Sequence, residues 1–305
     1  MKIVVTGGSG MVGRSLKKIL PDAVYLTSKD YDLTYREGVE LMLNQKQPDV
    51  IIHLAAKVGG IIDNIKKPVD YFEDNILMNT LLVRLSYRYG VSRFIGILST
   101  CIYPDKVDTY PLKESDLHIG PPTETNFSYG YAKRSLAVQI DAYNKQFGTK
   151  YQYLTPCNLY GEFDKYGENS HFVAALIKKI HSAKIGGSDS ITLFGSGKPL
   201  RQFMHADDLS YVINRCIEDE IYDSMNVSVE ENLSIDEMAK IALRAMDAEH
   251  IAIEYDRSKP DGQYRKDVSI ELLKNRIGDH KFTDLYFGIK QTYDYLVKHN
   301  CLPKS

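Results

Sequence analysis

Ser128-Tyr129-Gly130-Tyr131-Ala132-Lys133 sets a phenol and an ammonium four residues apart. On a helix that spacing puts both side chains on one face, with β-carbons about 5–6 Å apart. A tyrosine ordinarily titrates near pH ~10, and a positive charge beside it favours the phenolate. Such a phenol can exchange a proton with an alcohol or ketone near neutral pH. In a chain with 22 tyrosines, the same residues also fit a plain helix with a surface lysine. The chemical reading needs two further parts: a nucleotide site, and a hydroxyl that shares the substrate oxygen.

A candidate nucleotide site opens the chain. Residues 2–6 read as a short buried strand, followed at once by Gly7-Gly8-Ser9-Gly10-Met11-Val12-Gly13 and an amphipathic run to Leu20. Gly7, Gly10 and Gly13 keep the spacing of a tight strand-to-helix turn, whose amides and helix N-terminus face a pyrophosphate. The second strand, 23–26, ends in Thr27-Ser28-Lys29. An NAD site usually carries Asp or Glu there to hold the ribose 2′-hydroxyl. A hydroxyl and a cation suit a 2′-phosphate, so NADP(H) is the expected cofactor. Asp30, one step on, leaves a ribose contact open, and Lys29 also fits a solvated loop charge.

The elements that must position these groups alternate. Strands are expected at 50–54, 93–98 and 151–154, with helices at 68–89 and 126–147. Alternation of this kind predicts an α/β fold with a doubly wound parallel (Rossmann) sheet. His53 closes a strand and reads as a packed histidine. In such a sheet, ligands gather at the carboxyl ends of the strands. Strand 93–98 ends in Leu98-Ser99-Thr100-Cys101-Ile102-Tyr103-Pro104, which makes Ser99 the candidate hydroxyl.

With the glycine loop, Ser99, Tyr129 and Lys133 in this order, the chain resembles the extended short-chain dehydrogenase/reductase superfamily. The resemblance covers nearly all of it. It implies that Ser99 and Tyr129 hydrogen-bond the substrate oxygen, while Lys133 holds the nicotinamide ribose and lowers the tyrosine pKa. It also implies cofactor contacts from the glycine loop, Ser28, Lys29, Leu98, Asn158, Leu159 and His171.

Relatives that dehydrate sugar nucleotides carry Asp-Glu after the catalytic Ser or Thr. Here Thr100-Cys101 follows Ser99. The thiol and Ile-Tyr-Pro resemble the GDP-L-fucose synthase family. So do His53-Leu54-Ala55-Ala56-Lys57-Val58-Gly59-Gly60, Gly120-Pro121-Pro122, Asn158-Leu159-Tyr160-Gly161, Asn169-Ser170-His171 and Lys259-Pro260-Asp261-Gly262. That family epimerises GDP-4-keto-6-deoxy-mannose at C3 and C5, then reduces C4 with NADPH.

The chemistry fits the residue types. A C4 ketone acidifies the hydrogens on C3 and C5, and inversion needs a base on one face and an acid on the other. The resemblance gives these roles to Cys101 and His171; on their own, the two also fit a packed thiol and a helix-start histidine. It further implies that Lys179 and Arg201 meet the phosphates, Phe194 the ligand, and Asp261 a sugar or ribose hydroxyl. Relatives often have tryptophan at the Phe194 position, and this chain has none. A C4 reductase of a related GDP-4-keto-6-deoxy sugar, such as a heptose, would keep most of these residues. An NAD-retaining 4-epimerase would carry its cofactor through purification, and a non-enzymatic NADP sensor would usually lose part of the Ser–Tyr–Lys set.

The length suits one large or two small domains. The 305 residues carry a net charge of −2, which argues against a nucleic-acid face. The apolar content of 43% can fill a core, and no run approaches the ~20 apolar residues of a membrane span. Cys101, Cys157, Cys216 and Cys301 form neither a disulfide framework nor a zinc cluster. No secretory leader is evident, so a cytoplasmic protein is expected. Residues 1–165, with a return at 203–230, are expected to form the NADP-binding Rossmann domain. Residues 166–202 and 231–305 would form an interleaved substrate domain. In the enzymes this chain resembles, two such helices pair across a two-fold axis as a four-helix bundle. The resemblance therefore implies a homodimer through their apolar positions (Ile76, Leu77, Leu81, Leu82, Leu85; Leu136, Val138, Ile140), which on their own also fit burial within one chain.

Overall fold

Ile3–Thr6 (β1), Val24–Leu26 (β2), Val50–His53 (β3), Arg93–Ile97 (β4) and Lys150–Pro156 (β5) join Met225–Val227 in one sheet. The computed structural model describes residues 1–167 and 170–303, so Asn169 of the Asn169-Ser170-His171 motif lies outside the described residues. Every pairing in this sheet is parallel, in the order β2-β1-β3-β4-β5 and then Met225–Val227. β3 and β4 are buried along their whole length, as a sheet covered on both faces requires. The chain runs from β1 to one side and then crosses to β3 on the other. That reversal opens a crevice at the carboxyl ends of β1 and β3.

Two layers cover the sheet. On one face, helices Pro68–Arg88 and Phe127–Phe147 lie along each other. Leu82, Leu85, Leu136 and Ile140, four of the residues assigned to a dimer face, are buried there with Phe94 of β4. On the other face, Met11–Leu16 packs on helix Ala206–Glu218, and Leu16, Leu209, Val212 and Ile213 share one cluster with Leu273 and Ile277.

A separate apolar cluster unites helices Phe172–Gly186, Ile235–Ala245 and Leu285–Lys298 with the parallel strand pair Ser190–Phe194 and Ala252–Asp256. Ser234 and Glu237 form the expected reciprocal cap: the Glu237 amide donates to Ser234 Oγ (3.1 Å) and the Ser234 amide to Glu237 Oε2 (2.8 Å). The start of the last helix differs from expectation. Asp284 is its cap, accepting from the amides of Tyr286 (3.0 Å) and Phe287 (3.3 Å). Thr283 is instead held by Asp208, to which its amide (3.0 Å) and hydroxyl (3.1 Å) donate.

Candidate active site

The glycine loop fills the crevice. Gly7 has φ +71°, and a β-carbon on it would sit 2.7 Å from the Ala55 amide nitrogen, just past β3. Only glycine allows that backbone angle and that approach together. The loop is tied down by Gly8 N donating to Leu26 O (2.8 Å) and Gly10 N to Gly7 O (3.0 Å). At the end of β2, Ser28 and Lys29 stand exposed. Asp30 turns back: its Oδ2 accepts from both the amide (2.7 Å) and the hydroxyl (2.8 Å) of Thr27, which hold its pKa below the ordinary value. The cradle therefore fits a dinucleotide, and at its ribose end a hydroxyl and an ammonium stand exposed beside an acid with one oxygen tied to its own turn.

The reacting groups are set by one junction. Ser99 lies two residues past the end of β4 and caps the single turn Thr100–Ile102, its Oγ accepting from the Cys101 amide (3.4 Å). Helix Phe127–Phe147 lies directly on that turn. A β-carbon on Gly130 would stand 2.8 Å from the Cys101 carbonyl oxygen, so the residue after Tyr129 must lack one. Arg134, one position past Lys133, donates to Ile102 O (2.8 Å) and Gly120 O (2.8 Å), binding the Gly120-Pro121-Pro122 segment to the same junction.

Lys133 is buried and donates to Ile97 O (2.9 Å). Burial pushes its pKa down to about 8. Tyr129 stacks edge-on against Tyr71, with ring centroids 6.4 Å apart. Burial pushes its phenol pKa up, and the charges of Cys101 and Tyr71 add to the rise. This corrects the expected lowering by Lys133: the ammonium hydrogen-bonds β4, and desolvation governs the phenol.

Burial would also raise the Cys101 thiol, but its neighbours win. Lys266, Ser99, Arg201 and Asn126 together hold it below the ordinary thiol value. Lys266 Nζ is 3.8 Å from Cys101 Sγ. Neither Lys266 nor Asn126 was singled out in the sequence, although Lys266 stands five residues past Asp261. Asn126 Oδ1 is buried without a hydrogen-bond partner among the described residues.

His171 precedes helix Phe172–Gly186 and is 45% exposed. Its Nδ1 pairs with buried Asp164 (3.0 Å), which raises its pKa. Its Nε2 makes no hydrogen bond among the described residues.

The outer candidates fall into two groups. Phe194 presents a 55% exposed ring, with Lys179 Nζ 5.0 Å and Lys259 Nζ 5.9 Å from its centroid. Lys179 also donates to Thr192 O (2.6 Å). Arg201 lies with the reacting centre, donating to Leu200 O (2.7 Å) and Gln263 O (2.6 Å) while its charge acts on Cys101. Asp261 accepts from Ser196 N (2.6 Å) and Oγ (2.8 Å). Leu98 is buried, its amide on Leu154 O (2.8 Å), and Asn158 donates to Gln202 O (2.8 Å) beside half-buried Leu159. Glu162, His205 and Asp207 do cluster, but Lys18 lies 2.9 Å from Asp207 and 3.8 Å from Glu162 and meets their charge.

A dinucleotide cradle beside a hydroxyl, a phenol and an ammonium at the strand ends is machinery for chemistry at a carbon–oxygen bond. Residues 3–228 match the NAD dependent epimerase/dehydratase family, and the chain belongs to it. It is an enzyme of that nicotinamide-dependent class. A GDP-L-fucose synthase of Dictyostelium discoideum is 36% identical, over 97% of this chain and 95% of that protein. A solved GDP-L-fucose synthetase from Naegleria fowleri bound to NADP is 31% identical and superposes with a TM-score of 0.89, over 99% of this chain and 94% of that one. A GDP-6-OMe-4-keto-L-xylo-heptose reductase from C. jejuni shares the fold (TM-score 0.91, 98% of each chain) at 24% identity.

Proposed function

We propose that the protein converts GDP-4-keto-6-deoxy-D-mannose to GDP-L-fucose, by epimerisation at C3 and C5 followed by reduction at C4. NADP(H) is its cofactor, and bound NADPH supplies the hydride. Residues 1–165 and 203–230 serve the cofactor; 166–202 and 231–305 serve the sugar nucleotide. Lys179, Phe194, Arg201 and Asp261 hold that substrate. Ser28 and Lys29 meet the 2′-phosphate, and the Gly7–Gly13 turn, Leu98, Asn158, Leu159 and His171 line the rest of the cofactor. The protein works as a cytoplasmic homodimer; no helix among the described residues is long and apolar enough to cross a membrane.

The observation that carries this reading is the placement of Cys101, two residues from Ser99, 3.8 Å from Lys266 Nζ and on the same junction as Tyr129, where its neighbours hold the thiol pKa below the ordinary value. A reductase needs Ser99, Tyr129 and Lys133 but no base. An epimerase also needs a base whose proton affinity is near neutral. In this reading Cys101 removes a proton from the carbon beside the ketone and His171 returns one to the opposite face. Ser99 and Tyr129 hydrogen-bond the oxygen throughout, Lys133 holds the nicotinamide ribose, and Tyr129 finally protonates the C4 oxygen.

Turnover of GDP-4-keto-6-deoxy-D-mannose with NADPH in heavy water tests the assignment. The product should carry deuterium at C3 and C5, by NMR. Cys101→Ser should lose that label while still reducing C4 of the unepimerised ketone. A wild-type product reduced at C4 with no solvent deuterium at either carbon would make the protein a reductase only.

A further inference from the structure

We propose that Lys266 is the positioning residue for Cys101: its ammonium holds the sulfur as a thiolate ready to take a proton, and keeps its own proton while doing so. The purpose of this pair rests on the epimerase reading above, whereas its test does not.

The argument begins with how Lys266 reaches the site. It is 165 residues from Cys101 in the chain. The segment that carries it is pinned on both sides. Leu112 N donates to Asp267 O (2.9 Å) and Ser269 N to Leu112 O (2.7 Å). Val268 N donates to Gln202 Oε1 (2.9 Å), and Tyr110 OH to Arg265 O (2.9 Å). Gln263 Nε2 reaches Pro104 O (3.2 Å) and Asp105 O (3.1 Å), just past the turn that bears Cys101. A lysine on so constrained a backbone is aimed rather than merely tethered.

The second step is the company Lys266 keeps. The neighbouring carboxylate, Asp267, is taken by Arg265 (2.6 and 3.0 Å). Among the described residues, Lys266 Nζ makes no ion pair with a carboxylate, and its hydrogen-bond partner is Cys101 Sγ. Lys266 is half-buried, and desolvation pushes its pKa down while the charge of Cys101 opposes that fall, so the ammonium gains from an anion beside it. The charged and titratable groups that face the pair are Arg201, which repels Lys266 and attracts a thiolate, Cys157, whose thiol faces Lys266, and Tyr129, whose phenol feels the Cys101 charge. The anion that best relieves this arrangement is the Cys101 thiolate. Once Cys101 takes a proton from carbon, the negative charge leaves for the substrate's enolate oxygen, and Lys266 remains protonated.

The test uses the full-length chain without substrate. Iodoacetamide reacts with a thiolate by forming an S–C bond and releasing iodide, so its rate reports the ionised fraction. Peptide-resolved mass spectrometry follows Cys101 against exposed Cys301; Cys157 and Cys216 are buried, with pKa values pushed up to about 11. Lys266→Met should slow Cys101 about tenfold at pH 7 and raise its midpoint by about one unit, the usual effect of removing an adjacent charge. Cys301 should not change, and Lys266→Arg should restore most of the rate. A Lys266→Met profile that superimposes on wild type overturns the proposal. Should that variant fail to fold, a wild-type midpoint at or above the ordinary thiol value of ~8.5 overturns it equally. If the midpoint moves with Lys266 while wild-type turnover leaves no deuterium at C3 or C5, the pair stands and the epimerase reading falls.

Discussion

The Asp30 carboxylate accepts both the amide and the hydroxyl of Thr27 on a single oxygen, at 2.7 and 2.8 Å. One oxygen of the acid nearest the ribose end of the cradle is thereby tied to its own turn, and Ser28 and Lys29 stand exposed beside it. NADPH should therefore be preferred over NADH by about tenfold or more in kcat/KM, roughly 1.4 kcal/mol in transition-state terms. Lys29→Ala should lose most of that preference. Steady-state kinetics with both cofactors would decide it, and equal use of the two by wild type would contradict it.

Tyr129→Phe should lower C4 reduction by about two to four orders of magnitude, the span of a general acid. Tyr131→Phe should stay near wild type, because Tyr131 packs on Phe127 (4.7 Å between centroids) beneath the Arg134 guanidinium (5.2 Å). Single-turnover rates would separate the two, and a reversed pattern would assign the wrong tyrosine to the reaction.

Asp164 raises the pKa of His171 through their hydrogen bond. Asp164→Asn should therefore lower the His171 midpoint, followed by its imidazole NMR signals. The sign for stability follows from the raised value. The pair's contribution is complete below the ordinary histidine pKa of ~6.5 and fades as pH rises through the raised folded value. Wild type should thus lose its advantage over Asp164→Asn on going from mildly acidic to alkaline buffer. An advantage that grew with pH would contradict the pairing.

Leu77 on helix Pro68–Arg88 and Val138 on helix Phe127–Phe147 are 44% and 52% exposed, and Val69 and Phe72 extend the apolar surface of the first helix. Light scattering at micromolar concentration should give a dimer mass for wild type and a monomer mass for Leu77→Asp combined with Val138→Asp. A wild-type monomer would remove the dimer from the proposal.

What the sequence made legible is what neighbours a few residues apart decide. The glycine turn, the strand alternation, the Tyr129–Lys133 helix and the Ser234–Glu237 cap all rest on local spacing. Contacts between distant segments were not legible. Thr283 and Asp284 are both able to cap, and Asp208, more than seventy residues earlier, claims the first. Lys266 reaches Cys101 only because Leu112 and Gln202 fix its segment. The direction of the Tyr129 shift was missed for a related reason: spacing reveals a nearby charge, whereas desolvation depends on what the rest of the chain lays over the phenol.

The close seating of Gly130 on the Cys101 carbonyl has a mechanical consequence. The turn that bears the thiol and the helix that bears the phenol are seated too closely for any side chain to come between them, so Cys101 and Tyr129 form one fixture. In the proposed sequence, three adjoining carbons of one ring are worked in turn. On that reading it is the sugar that travels, pivoting about a diphosphate held by Lys179 and Arg201 as proposed, to bring each carbon to one workbench.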